Sequence, residues 1–123
     1  MILVVDDDMD LAKQLQTALR HEGYRVETAA NGADAYRMVK SPDCKCMLLD
    51  VNMPGINGIE LLILMQADGI RVPTILMAGF PDYDEKEMKQ FESVVKLVNK
   101  PFKIEEMLHV IRKHATPKTA RHA

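Results

Sequence analysis

The chain has 123 residues, of which 47% are hydrophobic and 28% are charged, and this composition is typical of one globular domain and excludes a largely disordered chain. Sixteen basic and eighteen acidic residues leave a formal charge of −2, which is too balanced to favour nucleic acid or an anionic membrane surface as a partner. The apolar runs are far shorter than the ~20 residues of a membrane span, so we expect a cytoplasmic protein.

Short apolar segments alternate with longer segments of helical periodicity, which predicts a parallel α/β sheet covered by helices on both faces. Residues 2–5, 47–49 and 74–78 are continuous apolar runs, as expected for central strands that are buried on both faces. Residues 24–29 alternate in polarity, which predicts an edge strand, and residues 94–98 are the candidate for the opposite edge. Right-handed crossovers then favour the strand order 2-1-3-4-5 of a flavodoxin-like, doubly wound (βα)5 fold.

Four helices are predicted from apolar residues that recur at i, i+3 and i+4. Asn31, with Asp34 three residues later, is the predicted start of the second helix, and Gly23 is the predicted end of the first. A further short helix is expected within residues 82–92, where few apolar side chains stand among many charges. The apolar positions that predict the four helices are Leu11, Leu15, Ala18 and Leu19; Ala35, Tyr36 and Val39; Ile59, Leu62 and Ile63; and Ile104, Met107, Leu108 and Ile111.

The predicted elements form a single domain over residues 1–115. Residues 116–123 have no apolar anchor, so we expect a flexible C-terminal tail there.

Carboxylates follow two of the predicted strands at the point where each strand ends. Asp6 and Asp7 follow the first strand and Asp50 ends the third, and in the order 2-1-3-4-5 these two ends are neighbours at the switch point of the sheet. Two unit charges ~4 Å apart cost ~4 kcal/mol at an effective dielectric constant of ~20, so such a cluster needs a cation or a proton. A few oxygen ligands supplemented by water suit Mg²⁺ better than zinc or calcium.

Lys100 follows the fifth predicted strand and supplies a positive charge on the other side of the cluster. A carboxylate between a divalent cation and an ammonium is poised to attack phosphorus, because both neighbours neutralise the oxygens of the transferring phosphoryl group. Asp50 is therefore the candidate for an aspartyl phosphate. Read singly, Asp50 could instead cap its own turn and Lys100 could be a surface lysine; their joint placement favours the site.

Three segments of the chain resemble the signature segments of one family, the receiver domain of two-component response regulators. These segments are "ILVVDDD", "LLDVNMPGINGIELL" and "NKPF", and they occur in the family's order and spacing. The resemblance covers nearly the whole chain. It implies Asp50 as the phosphoacceptor, Asp7 as a direct Mg²⁺ ligand, Asp6 as a helper that often acts through water, and a backbone carbonyl ligand from Asn52.

The resemblance also assigns roles to the end of the fifth strand. Lys100 would bind a phosphoryl oxygen, and Pro101 would form a cis peptide that aims this lysine inward. This chain departs from the family pattern at two positions. Ala78 stands where the family has a Thr or Ser with the switch hydroxyl, and Leu97 stands where the family has an aromatic residue that turns inward. These two residues are either a matched apolar pair that simply packs, or they indicate altered switching.

Phe80 lies two residues after Ala78, at a position that in the family tunes the access of water to the phosphoryl group. A large ring there predicts a long-lived phosphoryl state. The alternative is a ring that is tucked into its own loop.

The resemblance implies a receiver that takes its phosphoryl group from a histidine kinase, a histidine phosphotransfer protein or a small phosphodonor. Its expected catalysis is limited to its own phosphorylation and dephosphorylation. A downstream protein would bind the face made by the fourth helix, fifth strand and fifth helix. A dimer of the chain is a separate option that the sequence leaves open. The alternative is an interaction module that no longer uses phosphate. A third alternative, an aspartate-nucleophile phosphatase or a flavin protein on the same topology, is less favoured. A flavin protein needs a phosphate cradle after the first strand, and "DDDMD" would repel the phosphate.

Overall fold

The computed structural model describes residues 1–79 and 83–114 as a five-stranded parallel sheet with five helices. The strands are β1 (Ile2–Val5), β2 (Val26–Ala29), β3 (Cys46–Asp50), β4 (Thr74–Gly79) and β5 (Val94–Lys100). The helices are α1 (Met9–His21), α2 (Gly32–Val39), α3 (Gly58–Ala67), α4 (Glu85–Met88) and α5 (Ile104–His114). The strand order β2-β1-β3-β4-β5 confirms the predicted doubly wound fold. The predicted tail at residues 116–123 lies outside the described residues.

Helices cover the sheet on both faces, which explains why the central strands are continuously apolar. On one face, Leu3, Leu49 and Leu76 pack in a cluster with buried residues of α2, α3 and α4. On the other face, Ile2 and Leu48 pack with buried residues of α1 and α5. Every residue of β1 and β3 is buried, so both strands end inside the protein, next to each other.

The predicted buried face of α3 is partly wrong. The structure buries Leu61, Leu62 and Met65, whereas Ile63 is 54% exposed. The sequence of this helix, GIELLILMQA, is apolar nearly all round, so the spacing of its apolar residues cannot select one face. Within the described part of the chain, no helix has the length and apolarity that a membrane span requires.

Helix caps fix where the chain leaves the carboxyl edge of the sheet. Asn31 caps α2 as predicted, its side chain accepting a hydrogen bond from the Asp34 N–H at 2.8 Å. Asp8 caps α1 in the same way by accepting from the Leu11 N–H at 3.2 Å, so this residue serves the helix. Gly23 follows the last turn of α1 with φ 98°, a left-handed conformation that favours glycine.

The edge strand β5 contains one extra residue relative to β4. Thr74 pairs with Val94 but Ile75 pairs with Lys96, which leaves Val95 as a β-bulge. From Lys96 onward the pairing is regular and ends with Gly79 opposite Lys100. The predicted strand, residues 94–98, is therefore two residues longer and reaches the carboxyl edge of the sheet with its last lysine.

The helix between β4 and β5 is a single turn. Within the predicted range 82–92, the structure has α4 only at Glu85–Met88, with Met88 as its buried side chain. Residue 82 itself lies outside the described residues. The short helix agrees with the scarcity of apolar residues in this segment.

Candidate functional site

Three carboxylates meet where β1 and β3 end. Asp6, Asp7 and Asp50 each offer an oxygen that lies within 4.8 Å of the others. The register explains this, because Val5 pairs with Leu49 and the two strands are parallel, so that Asp6 and Asp50 leave the sheet side by side. Asp6 and Asp50 are buried, whereas Asp7 is exposed.

Lys100 brings a cation to these carboxylates from the far end of the sheet. Its Nζ donates a hydrogen bond to Asp6 Oδ2 at 2.8 Å and lies 3.5 Å from Asp50 Oδ1. β5 is separated from β3 by β4, so the lysine side chain reaches across the end of β4 to make these contacts. The peptide between Lys100 and Pro101 is cis.

The charges at the site are interdependent. Burial and the neighbouring Asp6 charge raise the pKa of Asp50 to about 6, although Lys100 and the Asn52 N–H act in the opposite direction. Burial lowers the pKa of Lys100, but the hydrogen bond to Asp6 and the charges of Asp50 and Asp6 outweigh it and raise the pKa overall. Near neutral pH, Asp50 is therefore mostly an ionised carboxylate and Lys100 an ammonium.

The loop after Asp50 folds back against the strand that carries it. The Asn52 N–H donates to Asp50 Oδ1 at 3.1 Å, and the Gly58 N–H donates to the Val51 carbonyl at 3.0 Å. A Cβ on Gly58 would lie 2.7 Å from the Asp50 carbonyl oxygen, so this close approach requires glycine. The contact that the resemblance implies for Asn52, a carbonyl to a metal, stays a prediction.

The first residue of α2 also contacts this loop. A Cβ on Gly32 would lie 2.8 Å from the Cβ of Ile56, which is closer than side-chain carbons approach each other. Sequence reasoning missed this role, although the Asn31-Gly32 pair at a predicted helix start was a local signal for it. Two glycines thus permit close packing around the loop that follows Asp50: Gly32 lies against Ile56, and Gly58 lies against Asp50 and Val51.

The donor set fits a hard divalent cation. Asp6, Asp7 and Asp50 offer three carboxylate oxygens and no nitrogen or sulfur ligand, which is the chemistry that Mg²⁺ prefers in proteins. The exposed Asp7 leaves one side of the cluster open to water, and Mg²⁺ usually keeps several water ligands.

The two residues that the resemblance places at the switch positions are both in the core. Ala78 is fully buried and Leu97 is 8% exposed, and both belong to the apolar cluster on the α2, α3 and α4 side of the sheet. Their packing agrees with a matched apolar pair, and any part that they have in switching stays a prediction. Phe80 lies outside the described residues.

Comparisons with known proteins agree with this fold and site. Residues 2–112 match the response regulator receiver domain family. The chain is 33% identical over 111 residues to the uncharacterized transcriptional regulatory protein YkoG of Bacillus subtilis and 32% identical over 111 residues to the response regulator MprA of Mycobacterium ulcerans; both matches cover 90% of this chain. It spans about half the length of these relatives, 49% and 48% respectively.

A solved structure is similar in fold as well as in sequence. The response regulator TrrA of Thermotoga maritima, in complex with Mg²⁺ and BeF, superposes with a TM-score of 0.79 at 29% identity. The match covers 91% of this chain and 96% of that one.

Proposed function

The chain belongs to the response regulator receiver domain family, and from this we propose that it is a phosphoacceptor of a two-component system or phosphorelay in which Asp50 is phosphorylated. The observation that carries the proposal is the position of Asp50, with Lys100 at 3.5 Å and two further carboxylates within 4.8 Å. The proposed donor is the phosphohistidine of a histidine kinase or of a histidine phosphotransfer protein. The proposed place of action is the cytoplasm.

In the proposed reaction, a carboxylate oxygen of Asp50 attacks the phosphorus of the donor. A P–O bond forms, the P–N bond to the imidazole breaks, and the imidazole leaves with the electron pair and takes up a proton. Lys100 stands where its ammonium can bind one oxygen of the arriving phosphoryl group, and the Asn52 N–H orients the carboxylate through its bond to Oδ1. Attack of water on the acyl phosphate would return the free carboxylate.

Asp6, Asp7 and Asp50 would hold Mg²⁺, with a proposed carbonyl ligand from Asn52. When bound, the ion would neutralise charge on the phosphoryl oxygens. Asp6 has a second task that needs no ion, because its buried carboxylate keeps the Lys100 ammonium beside Asp50. The residues of the chain thus provide the nucleophile, one fixed cation and the oxygen ligands.

We further propose that the phosphorylated protein signals through contacts of α4, β5 and α5 with a downstream protein or a second copy of the chain. Ala78 has no hydroxyl group and Leu97 is not aromatic, so the signal would need a route other than the hydroxyl-to-aromatic relay. This same observation favours the second candidate, an interaction module that binds its partner without phosphate.

One experiment distinguishes these two functions. The chain and its Asp50→Asn variant are incubated with acetyl phosphate, with and without Mg²⁺, and followed by intact mass and by amide NMR. A phosphoryl mass that requires both Asp50 and Mg²⁺ would support the receiver. Failure to acquire this mass would favour the phosphate-independent module.

A further inference from the structure

The single-turn helix α4 packs on the sheet through the buried Met88, and one carboxylate also joins it to a backbone group at the edge of the sheet. Glu85, the first residue of α4, accepts a hydrogen bond from the backbone N–H of Leu97 through Oε2 at 2.7 Å. The same oxygen lies 3.6 Å from Lys96 Nζ. The resemblance places Leu97 at the aromatic switch position of the family, and Glu85 of α4 contacts the backbone of this residue.

The position of β5 in the sheet explains why a side chain can make this bond. β5 is an edge strand, and the backbone groups on its outer side face away from β4. A carboxylate that accepts from such an N–H makes a charge-assisted hydrogen bond, which is stronger than one between neutral groups. Burial raises the pKa of Glu85, but the Leu97 N–H and the charges of Lys96 and Lys89 outweigh it and lower the pKa overall, so the carboxylate stays ionised.

The β-bulge at Val95 directly precedes Lys96, the lysine that pairs with Glu85. Val95 is the extra residue, so the pairing with β4 resumes at Lys96, and the Lys96 side chain remains partly exposed at 43%. The lysine thus keeps its ammonium at the surface beside Glu85 while the next residue, Leu97, turns into the core.

The same strand carries the cation of the phosphorylation site. Lys100 lies three residues after Leu97 in β5, and all of these residues pair regularly with β4. A regularly paired strand thus connects Lys100 to the Leu97 N–H, and the Glu85 carboxylate connects that N–H to α4.

Resting on the proposed phosphoacceptor function, we propose that Glu85 is a positioning residue that couples the position of α4 to the state of Asp50, through its hydrogen bond to the Leu97 N–H. This bond provides a mechanical link that needs neither a switch hydroxyl nor an aromatic side chain. Before phosphorylation, the hydrogen bond holds the first residue of α4 against β5. After phosphorylation, a displacement of β5 would move α4 through the same bond.

The test compares Glu85→Ala with wild type and with Glu87→Ala, an exposed glutamate in the same helix turn that serves as the matched control. Each protein is treated with acetyl phosphate and Mg²⁺, and the phosphoryl mass and the NMR shifts of the α4 amides are recorded. We expect all three to acquire the phosphoryl mass. The phosphorylation-dependent shift of the α4 amides should fall to about a third or less in Glu85→Ala and stay at the wild-type size in Glu87→Ala.

A second variant and a second measurement separate the link from general stability. Glu85→Gln keeps an oxygen that can accept from Leu97, so it should retain at least about half of the wild-type response. Hydrogen exchange at the Leu97 amide, which needs no phosphate, should become about tenfold faster in Glu85→Ala.

The outcomes distinguish this inference from the proposed function. Full α4 response in phosphorylated Glu85→Ala would overturn the coupling, as would a response in Glu85→Gln as small as in Glu85→Ala. Wild type that is phosphorylated without any shift in α4 would also overturn it. Absence of the phosphoryl mass from wild type would overturn the proposed function instead, and unchanged exchange at Leu97 would still refute the hydrogen bond itself.

Discussion

The ammonium of Lys100 lies 2.8 Å from the buried carboxylate of Asp6, a residue 94 positions earlier in the chain. The contact joins the edge strand β5 to the central strand β1 across the carboxyl end of the sheet. Asp6 is fully buried, and two protein groups contact its carboxylate: Lys100 Nζ donates to Oδ2 and the Asp8 N–H donates to Oδ1 at 2.9 Å. The proposed phosphorylation site and the stability of the fold therefore share one ion pair.

Lys100→Met should destabilise the protein, because it leaves the buried Asp6 carboxylate without its cation. The lysine side chain is 25% exposed, so solvent compensates part of the loss, and we expect about 1–3 kcal/mol less free energy of unfolding in urea without divalent cations. Lys103→Met, at an exposed position three residues later, is the control and should stay close to wild type. Equal stability of Lys100→Met and wild type would show that the ion pair contributes nothing.

Asp50→Asn should make the metal-free protein more stable near neutral pH. The folded protein holds the pKa of Asp50 at about 6, above its ordinary 3.8, so between these values the folded state binds more protons than the unfolded state and loses stability as pH rises. One pKa unit corresponds to ~1.4 kcal/mol, which gives a gain of about 1–3 kcal/mol for the amide above ~pH 6.

The measurement is the difference between the two proteins in urea unfolding from about pH 4 to 8. The difference in free energy of unfolding should be small at the acidic end, where Asp50 in folded wild type is protonated and therefore uncharged like the asparagine. It should reach a plateau at the neutral end. A difference that is constant across the whole range would contradict the assigned pKa.

Asp7→Asn should weaken Mg²⁺ binding with little effect on stability. Asp7 is the exposed member of the acidic cluster, so its charge is not needed for packing, but it offers one of the three carboxylate oxygens. Loss of such a ligand should lower the Mg²⁺ affinity about tenfold or more, as measured by amide NMR titration. Asp10→Asn, an exposed carboxylate in the first turn of α1, is the control for loss of a nearby charge and should bind Mg²⁺ like wild type.

Gly32→Ala should move the loop that follows Asp50. The added methyl group would clash with Ile56, so either α2 or the loop must shift, at a cost of about 1–3 kcal/mol. Amide NMR shifts of residues 51–57 report the movement directly. Gly69→Ala is the control: its φ of +69° makes an alanine strained, but a Cβ there meets no atom within 4 Å, so this variant should lose stability without perturbing the loop.

The strand order and the cluster of acidic residues could both be predicted from the sequence, because both follow from the positions of the apolar runs. Short apolar runs that alternate with helical segments are typical of central strands in a parallel sheet, and their order places Asp6, Asp7 and Asp50 at one switch point. Lys100 could be assigned to the same edge because it follows the last strand. The family resemblance then added roles that these positions alone do not specify.

Other features could not be predicted because they depend on contacts between segments far apart in the chain. The buried face of α3 was ambiguous since nearly every position in that helix is apolar, and packing against the sheet selects Leu61 over Ile63. The hydrogen bond from Leu97 to Glu85 joins a backbone group to a side chain in a segment whose local signal was weak. The close approach of Gly32 to Ile56 likewise becomes visible only when α2 and the loop are placed together.

Deletion of one residue should be tolerated at the start of β5 but not at its end. Removal of Val95 would leave Val94 and Lys96 as consecutive partners of Thr74 and Ile75, so a shortened strand could still present Leu97 to the core. Removal of a residue between Leu97 and Lys100 would instead move the side chains after the deletion to the opposite face of the sheet. The lysine would then point away from Asp6. Deletions among homologous chains should therefore be found before Leu97 and not after it.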